Sequence, residues 1–426
     1  MKEHSALTSN QRRGFLAAWG GWALDGMDSF IYALVLVPAL RDLLPRSGMA
    51  ANAANEGLYG GLLFALFLVG WGCAFVWGPI ADKFGRVRTL MLTVLWYSLF
   101  TLLGAAAQSV WQLAMLRLLA GIGIGGEWAM GGTFVAEEWP EERRAWGAGL
   151  MHTGYYVGTL LAAALNYWIG SRYGWRAMFA VGGTPALLVA FIRYGVREPE
   201  RWRNAERALR RRSLLASLAE LFVPALRRRT VLNCLYVFIS IVGLWAGSVY
   251  VPASVTHLAA ESGLSTADGV RLASTATMLL SIATVMGCLL MPPLAESMGR
   301  RWTLGIFFIL MLVFIAGGFG WVYYLGASAL PWFMVCLFFL GLGVANFAVY
   351  TLWLPEQYPT ECRASAFALA TSLGRFGGAG VTFLVGAGVA HFHTIGVPVA
   401  MTSIAFAIGL LLLPLGEETR GKPLPA

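Results

Sequence analysis

Long apolar runs with few charges recur along almost the whole sequence. A run of 18 or more such residues is long enough to cross a bilayer as a helix. We count twelve of these runs, near residues 14–40, 57–80, 90–107, 110–135, 145–169, 177–194, 231–255, 272–294, 304–325, 330–354, 364–389 and 397–415. Only 12% of the residues are charged, against about 25% in soluble domains. The pattern excludes a soluble enzyme and predicts an all-α integral membrane protein with twelve transmembrane helices.

The positive charges behind the net charge of +9 lie mainly in the tails and loops of one side, which argues against a nucleic-acid partner. With the N-terminus inside, the two tails and the loops on the same side hold 24 of the 31 Lys and Arg residues. The positive-inside bias therefore predicts cytoplasmic termini and a bacterial inner (plasma) membrane, with the lipid bilayer as partner. The polar tail 1–13 lacks the apolar core and cleavage site of a signal peptide, so we expect the first span to be retained. The five scattered cysteines indicate neither a disulfide framework nor a metal site.

Two loop motifs occur twice, once on each side of a polar segment. Residues 78–86 (GPIADKFGR) reappear as 292–300 (PPLAESMGR), at an offset of 214. Residues 138–145 (EWPEERRA) reappear as 357–364 (QYPTECRA), at an offset of 219. Such repeats predict two parallel six-helix halves with a substrate site between them at the bilayer midplane. We expect an N-terminal half at 1–195, a cytoplasmic linker at 196–229 and a C-terminal half at 230–426.

The segment 78–88 resembles the loop signature of the major facilitator superfamily, with Val87 where a second basic residue is usual. Residues 25–28 (DGMD) and 117–127 (RLLAGIGIGGE) resemble segments of its organic-acid/proton symporters, the sialate/monocarboxylate and aromatic-acid types. The tail 417–422 (EETRGK) is similar to that of sugar porters, but has Glu where their motif has Pro. Residues 147–158 contain no proline, whereas the antiporter motif of helix 5 contains one. This difference argues against a drug-efflux function. The resemblance implies alternating access by the two halves.

Five charged residues fall well inside the predicted spans: Asp25, Asp28, Arg117, Glu127 and Arg375. Charges at such depth are costly and indicate a functional site. With a helical rise of 1.5 Å per residue, Asp28 lies roughly 22 Å from the cytoplasmic surface and Arg117 roughly 10 Å from the outer one. In a core of about 30 Å an Asp28–Arg117 pair is therefore within reach, with Asp25 as a second possible partner. Glu127 lies ten residues deeper than Arg117 and need not touch it.

The first-half charges are candidates for proton coupling. Burial disfavours an ionised carboxyl and a nearby guanidinium favours it, so an aspartate beside Arg117 can titrate as the pair opens and closes. The candidates are Asp25, Asp28, Arg117 and Glu127. A purely structural salt bridge is the alternative.

The second half contains an intramembrane arginine, Arg375, and no intramembrane carboxylate to match it. A buried cation without a partner is expensive, and a guanidinium binds a carboxylate bidentately. We therefore expect Arg375 to bind an anionic substrate. The alternative is that it bonds backbone carbonyls or reaches Glu127 or Asp25. Further substrate-binding candidates are His152, Tyr156, Trp245, Asn346 and Tyr350.

The repeated loop predicts cytoplasmic gating. Asp82 can clamp this face through Arg86 or a group on a neighbouring helix, and Gly85 permits a tight turn. The gating candidates in the two halves are Gly78, Asp82, Gly85, Arg86, Glu296 and Arg300.

These features predict a secondary active transporter that takes up a small organic anion (a carboxylate) together with protons. It would be a monomer with no cofactor other than the proton gradient. The alternatives are a sugar/proton symporter, favoured by the tail motif, and a transporter-like membrane sensor. No phosphate loop, metal cluster or nucleophile constellation indicates an enzyme or an ATP-driven pump.

Overall fold

The computed structural model describes residues 7–211 and 213–425, without the side chains of a few helical positions that include 245–249. All regular secondary structure in these residues is helical. The helices are α1 (Ser9–Arg46), α2 (Ala53–Gly72), α3 (Trp77–Phe84), α4 (Arg86–Gly104), α5 (Val110–Glu138), α6 (Arg144–Leu165), α7 (Ser171–Gly182), α8 (Ala186–Gly195), α9 (Glu200–Arg211), α10 (Leu214–Glu220), α11 (Arg227–Val249), α12 (Val251–Glu261), α13 (Thr266–Met298), α14 (Arg300–Gly320), α15 (Ala329–Val344), α16 (Asn346–Trp353), α17 (Arg363–Phe392), α18 (Gly396–Met401) and α19 (Ile404–Leu412).

Nine segments of the described chain are long and apolar enough to cross a membrane. They are Ser9–Arg46, Leu58–Phe84, Arg86–Gly104, Val110–Glu138, Arg271–Met298, Arg300–Tyr324, Gly326–Gln357, Arg363–Val389 and Gly396–Leu415. Helices occupy the other three predicted runs as well, with α6 at 145–169, α7 and α8 at 177–194, and α11 and α12 at 231–255. The arrangement is consistent with twelve spans.

Some breaks in the helices lie between the predicted apolar runs, and others lie inside them. Within α7 the backbone leaves the helical region at Gly174, where φ is 77°, so the chain turns at this residue. Such a φ is easily adopted by glycine, which lacks a Cβ. The run at 330–354 is divided between α15 and α16. Apolar composition identifies a segment that can cross the membrane, but it does not show where the helix in that segment breaks.

Within each half, α1 packs on α5 and α6, α2 and α4 pack on α5, α11 packs on α17, and α13 packs on α15. The halves meet where α13 contacts α6 and where α17 contacts α2 and α3. The protein therefore consists of two helical bundles that meet at these contacts. The residue boundaries of the halves and the linker stay a prediction.

The loop that joins α3 to α4 and the loop that joins α13 to α14 lie on one side, which we call the motif face. Each contains a glycine with positive φ, Gly85 at 112° and Gly299 at 90°. A distant glutamate caps the helix after each turn. Glu198 accepts hydrogen bonds from the backbone N–H groups of Val87 and Arg88, at 3.1 and 3.0 Å.

The second half repeats this cap. Glu418 accepts hydrogen bonds from the backbone N–H groups of Arg300 and Arg301, at 3.0 and 3.2 Å. A carboxylate at a helix N-terminus satisfies otherwise unpaired N–H groups and interacts favourably with the helix dipole. Glu198 of the linker and Glu418 of the C-terminal tail therefore have equivalent roles, since each holds the loop of its own half in place.

Candidate functional site

A cavity of about 410 Å³ lies between the two halves. Both bundles line it, with Trp71, Trp128 and His152 from the first half and Phe347 and Arg375 from the second. It also reaches residues nearer the face opposite the motif face, namely Leu36, Phe64 and Pro252. Its position between the helices of two bundles is typical of small-molecule sites.

Arg375 places a guanidinium at the wall of this cavity. It is 5% exposed and donates a hydrogen bond to the Thr371 carbonyl one turn earlier in α17. Its Cζ lies 3.9 Å from the ring centroid of Trp71 and 5.9 Å from that of Trp128. No carboxylate lies within 4.0 Å of it in the described part of the chain. Stacking on an indole holds the planar group without neutralising it.

Aromatic side chains form a large part of the cavity wall around Arg375. Trp128 stacks on Trp22 at 5.6 Å between centroids and meets the rings of His152 and Phe347 at 5.5 and 5.9 Å. The indole N–H of Trp128 also donates to the hydroxyl of Thr351 in the other half, at 2.9 Å. The lining thus combines one cation with extensive aromatic surface.

On the motif face, Asp82 ties the halves together. Its carboxylate accepts hydrogen bonds from the backbone N–H groups of Ala364 and Ser365, at 3.2 and 2.9 Å, and from the Ser365 hydroxyl at 2.5 Å. These residues begin α17 in the other half, so the carboxylate caps a helix across the interface. Arg86 lies 3.4 Å from Asp82 within its own half. Gly78 allows this approach, because a Cβ there would lie 2.6 Å from Ser365 Cα.

A buried glutamate from the first half adds a second tie. Glu137 accepts two hydrogen bonds from Arg86 of its own half, at 3.0 and 2.9 Å. It also accepts one from Arg363 of the other half, at 2.7 Å. All three side chains are buried, which excludes water from the charges.

The second half repeats the arrangement in looser form. Glu356 accepts two hydrogen bonds of 2.9 Å from Arg300 of its own half, and Arg144 of the first half lies 3.8 Å away. Glu296, the repeat of Asp82, pairs with Arg300 at 3.3 Å but is 46% exposed in its side chain. The motif face is therefore closed by interactions across the halves, and the cavity extends toward the opposite face.

The predicted pair in the first half is present. Arg117 Nη1 lies 3.6 Å from Asp28 Oδ2, and both side chains are at most 1% exposed. The rings of Tyr32, Phe67 and Phe179 surround the guanidinium, with centroids 4.3, 4.8 and 5.7 Å from Cζ. This apolar enclosure separates the pair from the cavity.

Asp25 and Glu127 form a second buried pair of different character. Both are 0% exposed, and their carboxyl groups are neighbours that interact with each other. Glu127 Oε1 lies so close to α1 that a Cβ on Gly21 would be 1.6 Å from it. Gly21 and Asp25 are one turn apart, so they present the same face of α1 to Glu127.

The other predicted substrate-binding residues divide into three groups. His152 and Tyr156 line the cavity. Asn346 and Tyr350 are fully buried and do not line it. Asn346 donates a hydrogen bond to the Gly343 carbonyl, and Tyr350 donates one to the Tyr236 carbonyl. The Trp245 side chain lies outside the described residues.

Sequence reasoning missed several residues of the site and of the gate. Glu137, Arg144, Glu356 and Arg363 flank or belong to the doubled loop motif, so the repeat at an offset of 219 was the available signal. The aromatic wall formed by Trp22, Trp71, Trp128 and Phe347 had no such signal, since tryptophan is common throughout this chain. Among the described residues, no group of three or more His, Cys, Asp or Glu could hold a metal ion.

A membrane-embedded cavity between two bundles, closed on one face, is the arrangement of a membrane transporter. Residues 18–379 match the family model described as Major Facilitator Superfamily, and the chain belongs to this family. The predicted family and fold class, an all-α membrane protein in two six-helix halves, are thereby confirmed. Members of this family are transport proteins rather than enzymes.

Similar proteins include carriers of organic acids. The chain is 30% identical to a probable 4-methylmuconolactone transporter of Cupriavidus pinatubonensis, with 98% of this chain and 93% of the relative covered. It is 25% identical to the sialic acid transporter NanX of Escherichia coli, with 97% and 95% covered. Among solved structures, the proton:xylose symporter XylE of E. coli has a TM-score of 0.78, with 21% identity and 98% of each chain covered. At that identity the likeness concerns the fold.

Proposed function

We propose that this protein is a secondary active transporter that takes up a small organic anion, a carboxylate, together with protons by alternating access. The single observation that carries the proposal is Arg375. It lies at the cavity wall, stacked on Trp71, with no carboxylate within 4.0 Å in the described chain. A substrate carboxylate would supply the close partner that this guanidinium lacks, through bidentate hydrogen bonds.

The cavity lining favours planar or unsaturated acids. Trp71, Trp128, Tyr155 and Phe347 offer ring faces and edges around the cation. Aromatic pairs gain about 0.5–1.5 kcal/mol beyond the burial of their area. The names of the relatives, which include transporters of sialic acid and cis,cis-muconate, support an acid as the cargo.

We assign the motif face to the cytoplasm of a bacterial inner membrane, with both termini on that side, following the positive-inside bias. The conformation described above is then the outward-facing one. Rocking of the halves would break the ties of Asp82 and Glu137 and open the cavity inward. The working unit is a monomer, and the proton gradient replaces any cofactor.

Thermal unfolding of the purified protein against a panel of carboxylates and neutral sugars tests the proposal. We expect carboxylates to raise the unfolding temperature and Arg375→Ala to abolish this stabilisation, since truncating one partner of a buried charge pair costs about 2–5 kcal/mol. Arg176→Ala is the matched control. Arg176 also stacks on a tryptophan, Trp175 at 4.1 Å, but it pairs with Asp42 and does not line the cavity.

Stabilisation by sugars alone would contradict the proposal and favour the sugar/proton symporter. Stabilisation by acids without uptake into proteoliposomes would favour the transporter-like sensor. Equal loss of the stabilisation by acids in Arg176→Ala would contradict the assignment of the anion site to Arg375.

A further inference from the structure

Charge balance separates Asp25 and Glu127 from the other buried acids. Asp28 has Arg117 at 3.6 Å, and Asp82 and Glu137 have arginines and N–H donors. None of the six oxygens of Asp25, Asp28 and Glu127 accepts a well-formed hydrogen bond from the described residues, so Asp25 and Glu127 differ from Asp28 in having no cation within 4.0 Å. Two neighbouring buried carboxyl groups cannot both be ionised here, because Arg375 is the one cation that acts on the pair among the described residues, and it can balance a single negative charge.

The charges around the Asp25–Glu127 pair are balanced when the pair holds one proton. Asp28 follows Asp25 by three residues on α1, and the hydroxyl groups of Tyr97 on α4 and Tyr155 on α6 are neighbours. Arg375 is the nearby cation, and it acts on Asp25 from beyond ion-pair distance. With Asp28 matched by Arg117, one shared proton gives the pair a single negative charge, which balances Arg375.

We infer that the neighbouring carboxyls of Asp25 and Glu127 hold one shared proton in the empty transporter and take up a second when an anion occupies Arg375. This inference rests on the proposed function and names the site of its proton. An anion on Arg375 cancels the charge that balanced the pair, so the pair becomes neutral by binding one more proton. Linkage is reciprocal, and protonation of the pair then tightens anion binding.

The inference assigns distinct tasks to the two acids of the first-helix motif. Asp28 stays with Arg117 inside an aromatic enclosure, whereas Asp25 carries the exchangeable proton with Glu127. Gly21 is a positioning residue, since any side chain there would occupy the space of the Glu127 carboxyl.

Infrared difference spectroscopy of the ligand-free protein tests the inference, because the C=O stretch of a protonated carboxyl is separate from the carboxylate bands. At neutral pH we expect a signal equivalent to one protonated buried carboxyl. The signal should disappear in Glu127→Gln and in Asp25→Asn, return in Glu127→Asp, and persist in Asp28→Asn. In Arg375→Gln, which mimics the neutralised cation, it should double.

Absence of the band in the wild-type protein, or its persistence in both Glu127→Gln and Asp25→Asn, would overturn the shared proton. An unchanged band in Arg375→Gln would overturn the link to the anion site. Monodispersity and thermal unfolding of each variant establish that it is folded. Because no substrate is present, failure here leaves acid-induced stabilisation intact, whereas failure of the proposed function leaves the band intact.

Discussion

Replacement of Asp82 by asparagine should shift the protein toward the conformation that is open at the motif face. All three hydrogen bonds that Asp82 accepts at the start of α17 cross between the halves, so their loss falls on the closed conformation alone. An amide has one acceptor oxygen, so at least one N–H group is left unsatisfied. A hydrogen bond to a charged group contributes about 1.5–3 kcal/mol, which corresponds to a shift of roughly 10- to 150-fold in the ratio of the two conformations.

Double electron–electron resonance between spin labels at Glu142 and Met298, in a cysteine-free background, measures this ratio. Both sites are exposed on the motif face and lie in different halves. Asp82→Asn should increase the ratio of the long-distance to the short-distance population by the factor given above. Glu296→Gln is the matched control, since Glu296 is half-exposed and pairs within its own half, where such a pair contributes about 0–1 kcal/mol.

The reasoning would be refuted by an unchanged distance distribution in Asp82→Asn. It would be refuted equally by a shift of the same size in Glu296→Gln, because the asymmetry between the repeats would then have no energetic meaning.

Three further predictions follow from particular contacts. Gly21→Ala should abolish the acceleration of uptake by a pH gradient, whereas Gly20→Ala, whose Cβ would meet only Leu188 at 3.9 Å, should not. Uptake into proteoliposomes at two external pH values distinguishes the two variants. Equal behaviour of the variants would contradict the role of Gly21. Trp71→Leu should weaken acid binding by about 2- to 30-fold, the range of one cation–π interaction, and titration calorimetry showing no change would contradict it. Burial raises the pKa of Glu198, so the folded protein binds its proton more tightly than the unfolded chain does, and the contribution of Glu198 to stability falls as pH rises through the raised pKa. Glu198→Gln should reduce the fall of stability with rising pH in thermal unfolding measured against pH, whereas Glu200→Gln should keep it. An unaltered slope in Glu198→Gln would show that another group is responsible.

Much of the architecture could be predicted because bilayer thickness fixes the length of a crossing helix. Helical rise and bilayer thickness also placed Asp28 and Arg117 at the same depth on two antiparallel helices, although they left Asp25 as a second possible partner. The duplicated loops indicated where the gate lies, although Glu137 and Arg363, which bond to each other across the halves, were not singled out.

The contact between Asp25 and Glu127 could not be predicted in this way. Depth says how far a residue lies from the surface but not which face of its helix meets a neighbour. That contact depends on Gly21, which removes a side chain between α1 and α5. Depth likewise did not reveal that Asn346 and Tyr350 lie outside the cavity lining, where Asn346 bonds the Gly343 carbonyl of the preceding turn and Tyr350 bonds the Tyr236 carbonyl of α11.

Coupling of acid uptake to protons is tested most directly by accumulation of labelled cis,cis-muconate and sialic acid in proteoliposomes, with xylose as the neutral comparison. With an acidic exterior, the wild-type protein should accumulate at least one of the acids above its external concentration. Collapse of the pH gradient should reduce uptake to equilibration, and Glu127→Gln should equilibrate the acid without accumulating it. Accumulation of xylose but of neither acid, or acid accumulation that is indifferent to the gradient, would contradict proton-coupled transport of an organic anion.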